Sequence, residues 1–450
     1  MRVVLIATYE LGRQPFGLAS PAAWLREAGH HVTMCDASRG PIDRDAVAAA
    51  DLIGVHLPMH TATRLALPIL EAARVQAPAA RLCAFGLYAP PNADHLHACG
   101  VDVVLGPEFE ADLAALADAL GAPVAAVPSS GAPRALPRLV FRVPDRSGLP
   151  PLSRYAHLAD TDGGTRIVGA TEASRGCKHL CRHCPIVPVY RGHFRVVPVE
   201  VVLADIDQLV AAGATHITFG DPDFFNGVTH AIRIVESLAV RYPGLTYDVT
   251  IKVEHLRRHR STLQTLVSTG CAFVTSAFES FDDDVLGMLA KGHTCADAEQ
   301  VVAHARSIGL AIAPTFVAFG PWTTLERYAR FLDTIAEWDL VDAVAPAQLG
   351  LRLLLPAGSP LVEVPAVAAR VEGFDAGHLA HRWVHDDPRI DAMQRDVMAT
   401  VGRQARRSRR NAYEAVVACA TAHGIGLAAS RDAGRTRATA IATIDEPWYC

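Results

Sequence analysis

The chain lacks several features that would have placed it at once. None of its apolar runs approaches the 18 or so residues needed to span a bilayer. Its 42 Lys and Arg against 47 Asp and Glu give a net charge of -5, with no basic excess to recruit nucleic acid. The opening Met1-Arg2-Val3-Val4-Leu5-Ile6-Ala7-Thr8 is too short for a secretory leader and has no small-residue cleavage site, so it reads as a buried first strand. Ten cysteines without such a leader point to a reducing compartment and metal chemistry, not to a disulfide framework. The expected location is the cytoplasm. No G-x-G-x-x-G follows the first apolar run, where Tyr9-Glu10-Leu11-Gly12-Arg13-Gln14-Pro15 stands instead, which disfavours a dinucleotide.

What is present begins with length and alternation. The 450 residues, half of them hydrophobic, are enough for two or three domains with large cores. Over residues 1–122, short apolar runs at 2–8, 32–36, 52–57, 81–86 and 102–106 alternate with helical patterns, one of which starts from a Ser20 cap with Pro21 at its first position. This alternation predicts a doubly wound parallel α/β sheet with any ligand at the carboxyl ends of its strands. Residues 123–165 carry Pro123, Pro128, Ser129, Ser130, Pro133 and Pro137 and read as an interdomain linker. Alternation resumes over 166–360, with strands expected at 166–171, 215–220, 246–251, 272–278, 310–317 and 347–354. Helices are expected between them, and the whole predicts a partial (β/α)6 barrel with its chemistry at the strand ends. Residues 361–450 read as mainly helical, with a basic face from Arg403 to Arg410 that is a solvated face or a partner surface.

The most informative stretch is Glu172-Ala173-Ser174-Arg175-Gly176-Cys177-Lys178-His179-Leu180-Cys181-Arg182-His183-Cys184-Pro185. Cys177, Cys181 and Cys184 form a C-x3-C-x2-C loop directly after an expected strand. Three thiolates without a fourth can hold three corners of a [4Fe–4S] cluster and leave one iron open, whereas a four-cysteine site would close that position. A zinc site completed by His179 or His183, and three structural cysteines, are the competing readings.

This loop resembles that of the radical S-adenosylmethionine (SAM) enzymes. The resemblance implies that the open iron binds the amino and carboxylate groups of SAM, and that an electron from the cluster cleaves a sulfonium bond. It also implies roles for loops at the later strand ends. Gly220-Asp221-Pro222-Asp223 stands in the place of the family's G-G-E motif, so Asp221 or Asp223 would face the SAM ammonium; an Asp-Pro turn is the plainer alternative. Lys252 and Glu254 would face the same mouth, and so would Glu279, with the SAM ribose, Lys252 or Arg352 as partner for its buried carboxylate. A doubly wound domain ahead of this core is similar to the cobalamin-binding class. Its relevant loops here are Val55-His56-Leu57-Pro58-Met59-His60, Gly86-Leu87-Tyr88-Ala89 and Gly106-Pro107-Glu108. Met59, His60 and Tyr88 would lie near the corrin, although the D-x-H-x-x-G motif is absent and a domain that binds no corrin is the alternative.

Within the family, Thr218-Phe219-Gly220-Asp221-Pro222-Asp223, Lys252-Val253-Glu254-His255 and Pro321-Trp322-Thr323-Thr324 resemble the subgroup named for a Cys-Cys (or Cys-selenocysteine)-Ala-Glu-Pro tail. This chain ends Thr443-Ile444-Asp445-Glu446-Pro447-Trp448-Tyr449-Cys450, without the vicinal thiols. The resemblance implies a [4Fe–4S] cluster, SAM and cobalamin as cofactors, a flavodoxin or ferredoxin as electron donor, and methyl transfer to a small metabolite. Transfer of the 3-amino-3-carboxypropyl group of SAM, for example to arsenic, is a second reading, and a non-enzymatic corrinoid or iron–sulfur binding protein a third. No nucleic-acid or membrane partner is expected.

Overall fold

A computed structural model describes residues 1–121, 139–161, 163–404, 408–426 and 441–446. Two sheets organise them. The first contains β1 (Arg2–Ala7), β2 (His31–Asp36), β3 (Leu52–His56), β4 (Arg81–Phe85) and β5 (Val103–Leu105), all parallel in the order β2-β1-β3-β4-β5. Alternate residues feed two cores. Val4, Ile6, Val55 and Ala84 pack on one face, while Val3, Leu5, Cys83 and Phe85 pack on the other. Helices cover both faces, which is why these strands read as unbroken apolar runs. The strand order reverses between β1 and β3, and a crevice opens there at the carboxyl ends.

The first helix differs from expectation. It spans Phe16–Glu27 and begins after Pro15, so Pro21 lies inside it and Ser20 does not cap it. The helix has already begun at Phe16 when the chain reaches Ser20, whose hydroxyl donates to Glu110 at 2.6 Å.

The second sheet has the order β13-β12-β11-β10-β7-β6-β16. β6 (His157–Ala159) lies antiparallel to β7 (Thr165–Thr171), and β8 (Ser174–Gly176) forms a ribbon with β9 (Phe194–Val196). β10 (His216–Phe219), β11 (Thr246–Thr250), β12 (Cys271–Glu279) and β13 (Ile312–Phe316) continue from β7 as the parallel half-barrel. The sixth strand expected at 347–354 is reduced to a single bridge between Phe319 and Arg352. Residues Pro346–Leu349 instead form a 3-10 turn whose Gln348 side chain accepts the Phe316 amide at 2.8 Å, so a side chain occupies the edge position that a ladder strand would fill.

The last quarter is helical over Pro388–Gln404 and Arg409–Ala422, but it also contains an unexpected hairpin, β14 (Val371–Asp375) with β15 (Ala380–Trp383). The short β16 (Thr443–Ile444) closes the sheet against β6. Of the expected basic face, Arg409 donates to the Asp342 and Ala343 carbonyls and Arg410 pairs with Asp342, so both are built into the fold. Arg146, at the end of the interdomain crossing, makes a bidentate pair with Asp205 at 2.9 Å and donates to Gln14 and the Ala170 carbonyl, pinning both sheets together. The six linker residues named above and the tail from Pro447 to Cys450 lie outside the described residues.

Candidate active site at the junction of the two sheets

The cysteine loop leaves β8 through Gly176, which has φ +73°; a Cβ there would lie 2.4 Å from the Tyr190 ring and 2.5 Å from the His193 carbonyl. Only glycine meets both demands. Asn226, which sequence reasoning passed over, fastens the start of the loop. Its side chain accepts from the Lys178 amide at 3.3 Å, donates to the Gly176 carbonyl at 3.3 Å and meets Cys177 Sγ at 3.8 Å. The Cys184 amide donates to the Cys181 carbonyl and tightens the other end. Burial raises the Cys177 thiol and pushes Cys184 up to about 12. Thiols held up in this way become ligands only against a positive centre, which is what an iron–sulfur cluster supplies, so the donor set fits one.

The loop after β10 brings Asp221 and Asp223 beside the cysteine loop but turns both carboxylates into the protein. Asp221 accepts from the Ala173 amide at 2.8 Å and from the Ser174 hydroxyl, and burial pushes it up to about 7. Asp223 accepts from the Phe225 amide at 3.1 Å and lies against His179 and His255. Gly220 donates its amide to the Thr171 carbonyl at 2.7 Å.

At the end of β12, Glu279 adopts φ +66°, a left-handed conformation rare for a side-chain-bearing residue, next to a register shift in the β12–β13 pairing. Its carboxylate is partnered by neither Lys252 nor Arg352. His183, inside the cysteine loop, stands 3.0 Å away and Lys291 3.3 Å away. Burial alone would raise Glu279; the Lys291 ammonium and His183 outweigh it and hold the carboxyl down to about 2. Lys252 pairs with Glu254 at 3.3 Å. Arg352 pairs with Asp391 and stacks 3.5 Å over the Trp383 ring, because the chain that carries it turns towards the C-terminal helices. Lys291 is one of only three lysines in the chain, with Lys178 and Lys252, a scarcity that could have marked it; its pairing with Glu279, 12 residues away, shows only in the fold.

A cavity of about 430 Å³ opens between the sheets. Glu10, Arg13, His56 and Met59 line it from strand ends of the five-stranded sheet, and Glu172, Arg175, Gly220 and Asp221 line it from the half-barrel. Met59 is therefore placed as expected. His60 and Tyr88 are not among the lining residues: His60 Nε2 lies 2.6 Å from the His378 carbonyl of the β14–β15 hairpin, and Tyr88 packs edge-on against it. The imidazole that does reach the cavity is His56. It is stacked against Phe85, tilted against Phe109, and pushed down to about 3 by burial, so it is neutral. Glu10 stands 4.0 Å from it and is pushed up to about 8 by burial.

Residues 171–335 match the radical SAM superfamily. Among curated proteins, a tRNA-2-methylthio-N(6)-dimethylallyladenosine synthase of Pelodictyon phaeoclathratiforme is 26% identical over 204 residues, 41% of this chain and 44% of that protein. A hopanoid C-3 methylase of Methylococcus capsulatus is 24% identical over 37% of this chain and 31% of its own length. The chain thus spans less than half the length of these relatives. Two solved structures share the fold across nearly the whole chain. OxsB, a cobalamin-dependent SAM radical enzyme solved with aqua-cobalamin, has a TM-score of 0.65 at 13% identity, covering 94% of this chain and 71% of OxsB. TsrM of Kitasatospora setae, a radical SAM methyltransferase solved with tryptophan and aza-SAM, has a TM-score of 0.64 at 17% identity, covering 95% and 96%.

Proposed function

We propose that this chain, whose residues 171–335 form a radical SAM domain, is a cobalamin-dependent radical SAM enzyme that methylates a small metabolite. The observation that carries the reading is the cavity itself. One space is walled on one side by the carboxyl ends of a flavodoxin-order sheet and on the other by the mouth of a half-barrel beside three cysteines. A single substrate held there would be in reach of both halves.

Cys177, Cys181 and Cys184 would hold the cluster, whose chemistry is the one-electron cleavage of SAM, while a corrin in the upper part of the cavity would carry the methyl group. The protein's own residues supply position and exclusion of water. Gly220 and Asp221 would border the SAM side, and Glu279 fixes the cysteine loop through His183. Met59 and the neutral His56 face the corrin side without adding a charge to it. The proposed substrate is a small metabolite, with a flavodoxin or ferredoxin as electron source; no helix among the described residues is long and apolar enough to cross a membrane.

The test is anaerobic reconstitution with SAM and a strong reductant, with and without methylcobalamin, reading the SAM products by mass spectrometry. 5′-Deoxyadenosine together with S-adenosylhomocysteine that rises with the corrinoid supports the reading. Methylthioadenosine would replace it with aminocarboxypropyl transfer. An intact cluster without SAM cleavage would favour a binding protein.

A further inference from the structure

His179, Asp223 and His255 bring one donor atom each within 4.8 Å of one another, a group that none of the roles above uses. They come from three segments. His179 lies between the first two cysteines, Asp223 follows β10, and His255 follows β11. His255 is fully buried, and the side chains of Asp223 and His179 are 2% and 12% exposed. His179 Nε2 stands 3.3 Å from His255 Nε2 and 3.5 Å from Asp223 Oδ2. Donors around a tetrahedral zinc with bonds of about 2.0–2.1 Å are separated by roughly 3.3–3.4 Å, so both spacings are those of a coordination edge.

The hydrogen bonding is unsatisfied in a way that a cation would resolve. Asp223 Oδ2 is buried without an aligned hydrogen-bond partner, although His255 Nδ1 lies 2.7 Å from it. Buried polar atoms left in this state are costly, about 1–3 kcal/mol each. An outer contact is also in place. Glu254 Oε2 stands 3.6 Å from His179 Nδ1, the nitrogen opposite the one aimed into the group, and closes to a hydrogen bond with a shift of about 0.5 Å. A carboxylate behind a histidine is the usual means of fixing the tautomer of a metal ligand.

We propose that His179, Asp223 and His255 bind a single divalent transition-metal ion, separate from the iron–sulfur cluster, with Glu254 orienting His179. Two imidazoles and one carboxylate with an open fourth position form a donor set suited to Zn2+. Zinc undergoes no redox change, so its part is mechanical: it ties the middle of the cysteine loop to the ends of β10 and β11. Cobalt(II) serves as the visible probe of the same geometry.

The experiment uses the cluster-loaded enzyme, so that the cysteines are already occupied. After treatment with a mild chelator it is titrated anaerobically with Co2+ and then with Zn2+, and total metals are counted. The expected result is one Co2+ per chain with visible d–d absorption, displaced by Zn2+. Asp223→Asn and His255→Gln should abolish that binding with the iron content unchanged, and Glu254→Gln should weaken it about 10–100-fold. If the cluster-loaded wild type takes up neither ion, or if both first variants bind as tightly as wild type, the site does not exist. Should those two variants also lose iron, the wild-type titration and the Glu254→Gln affinity decide, and an unchanged affinity in Glu254→Gln would count against the assigned geometry.

Discussion

The Arg175 guanidinium lies 2.6 Å from the Glu110 carboxylate, and this buried pair joins the five-stranded sheet to a residue two positions ahead of the first cluster cysteine. Glu110 has no solvent exposure and Arg175 only 7%. Ser20 donates to Glu110, Glu172 also contacts Arg175, and Tyr190 donates to Glu108 at 3.0 Å. The cysteine loop is therefore positioned by the other sheet as well as by its own.

Removing one partner of such a pair leaves a buried charge without compensation, typically at a loss of 3–5 kcal/mol. Glu110→Ala is expected to lower stability by about that amount and to reduce the iron retained after reconstitution. Thermal unfolding and iron content check this together. An unchanged melting temperature with full iron loading would mean that the pair is not what holds the loop.

The three thiols are not interchangeable with oxygen donors. Each of Cys177→Ser, Cys181→Ser and Cys184→Ser should lose the visible absorption of the cluster and all SAM cleavage, while circular dichroism stays that of wild type. Retention of a cluster in any one of them would show that another residue supplies the third ligand.

Glu279 is expected to make the fold acid-sensitive. Its folded value of about 2 is below the ordinary value of about 4.3, so the native state holds fewer protons than the unfolded chain. Its contribution is therefore complete above the ordinary value and is lost as pH falls towards 2. The shift corresponds to about 3 kcal/mol at neutral pH. Glu279→Gln should remove that acid-dependent component, which denaturant unfolding between pH 3 and 7, as rough bounds on this window, would reveal; parallel curves for the two proteins would contradict it.

Glu10 and Glu172 act in the opposite direction. Burial raises each to about 8, so the native state holds more protons than the unfolded chain over the range below that value. Stability should fall as pH rises from the ordinary glutamate range to about 8 and level off beyond it. Glu10→Gln keeps the shape without the charge and should gain on wild type by about 1 kcal/mol or more above pH 8. Melting temperatures of the two proteins across this range test it, and a gap that does not widen with pH would refute the assignment.

The sequence by itself determined the local elements and the chemistry of one loop. Parallel strands buried on both faces are continuous apolar runs, which is why β1 to β5, β7 and β10 to β13 were legible with their boundaries nearly right; the antiparallel ribbon of β8 and β9 was not. Three cysteines in eight residues need no tertiary information to be seen as one ligand set, because the chain connectivity alone keeps them together. Side-chain pairing across the fold was not legible in this way. Glu279 found His183 and Lys291 instead of Lys252 or Arg352, and His56 reached the cavity where His60 did not. The Ser20 cap failed because the helix begins ahead of it, at Phe16, and its hydroxyl turns to Glu110, 90 residues away. The sixth strand was displaced when the Gln348 side chain took the Phe316 amide. Likewise, His179, Asp223 and His255 are separated by tens of residues and converge only because the strands before two of them lie side by side. Periodicity records which face of an element is buried, but not what stands opposite it; that depends on how the two sheets dock, and only the tertiary structure decided it.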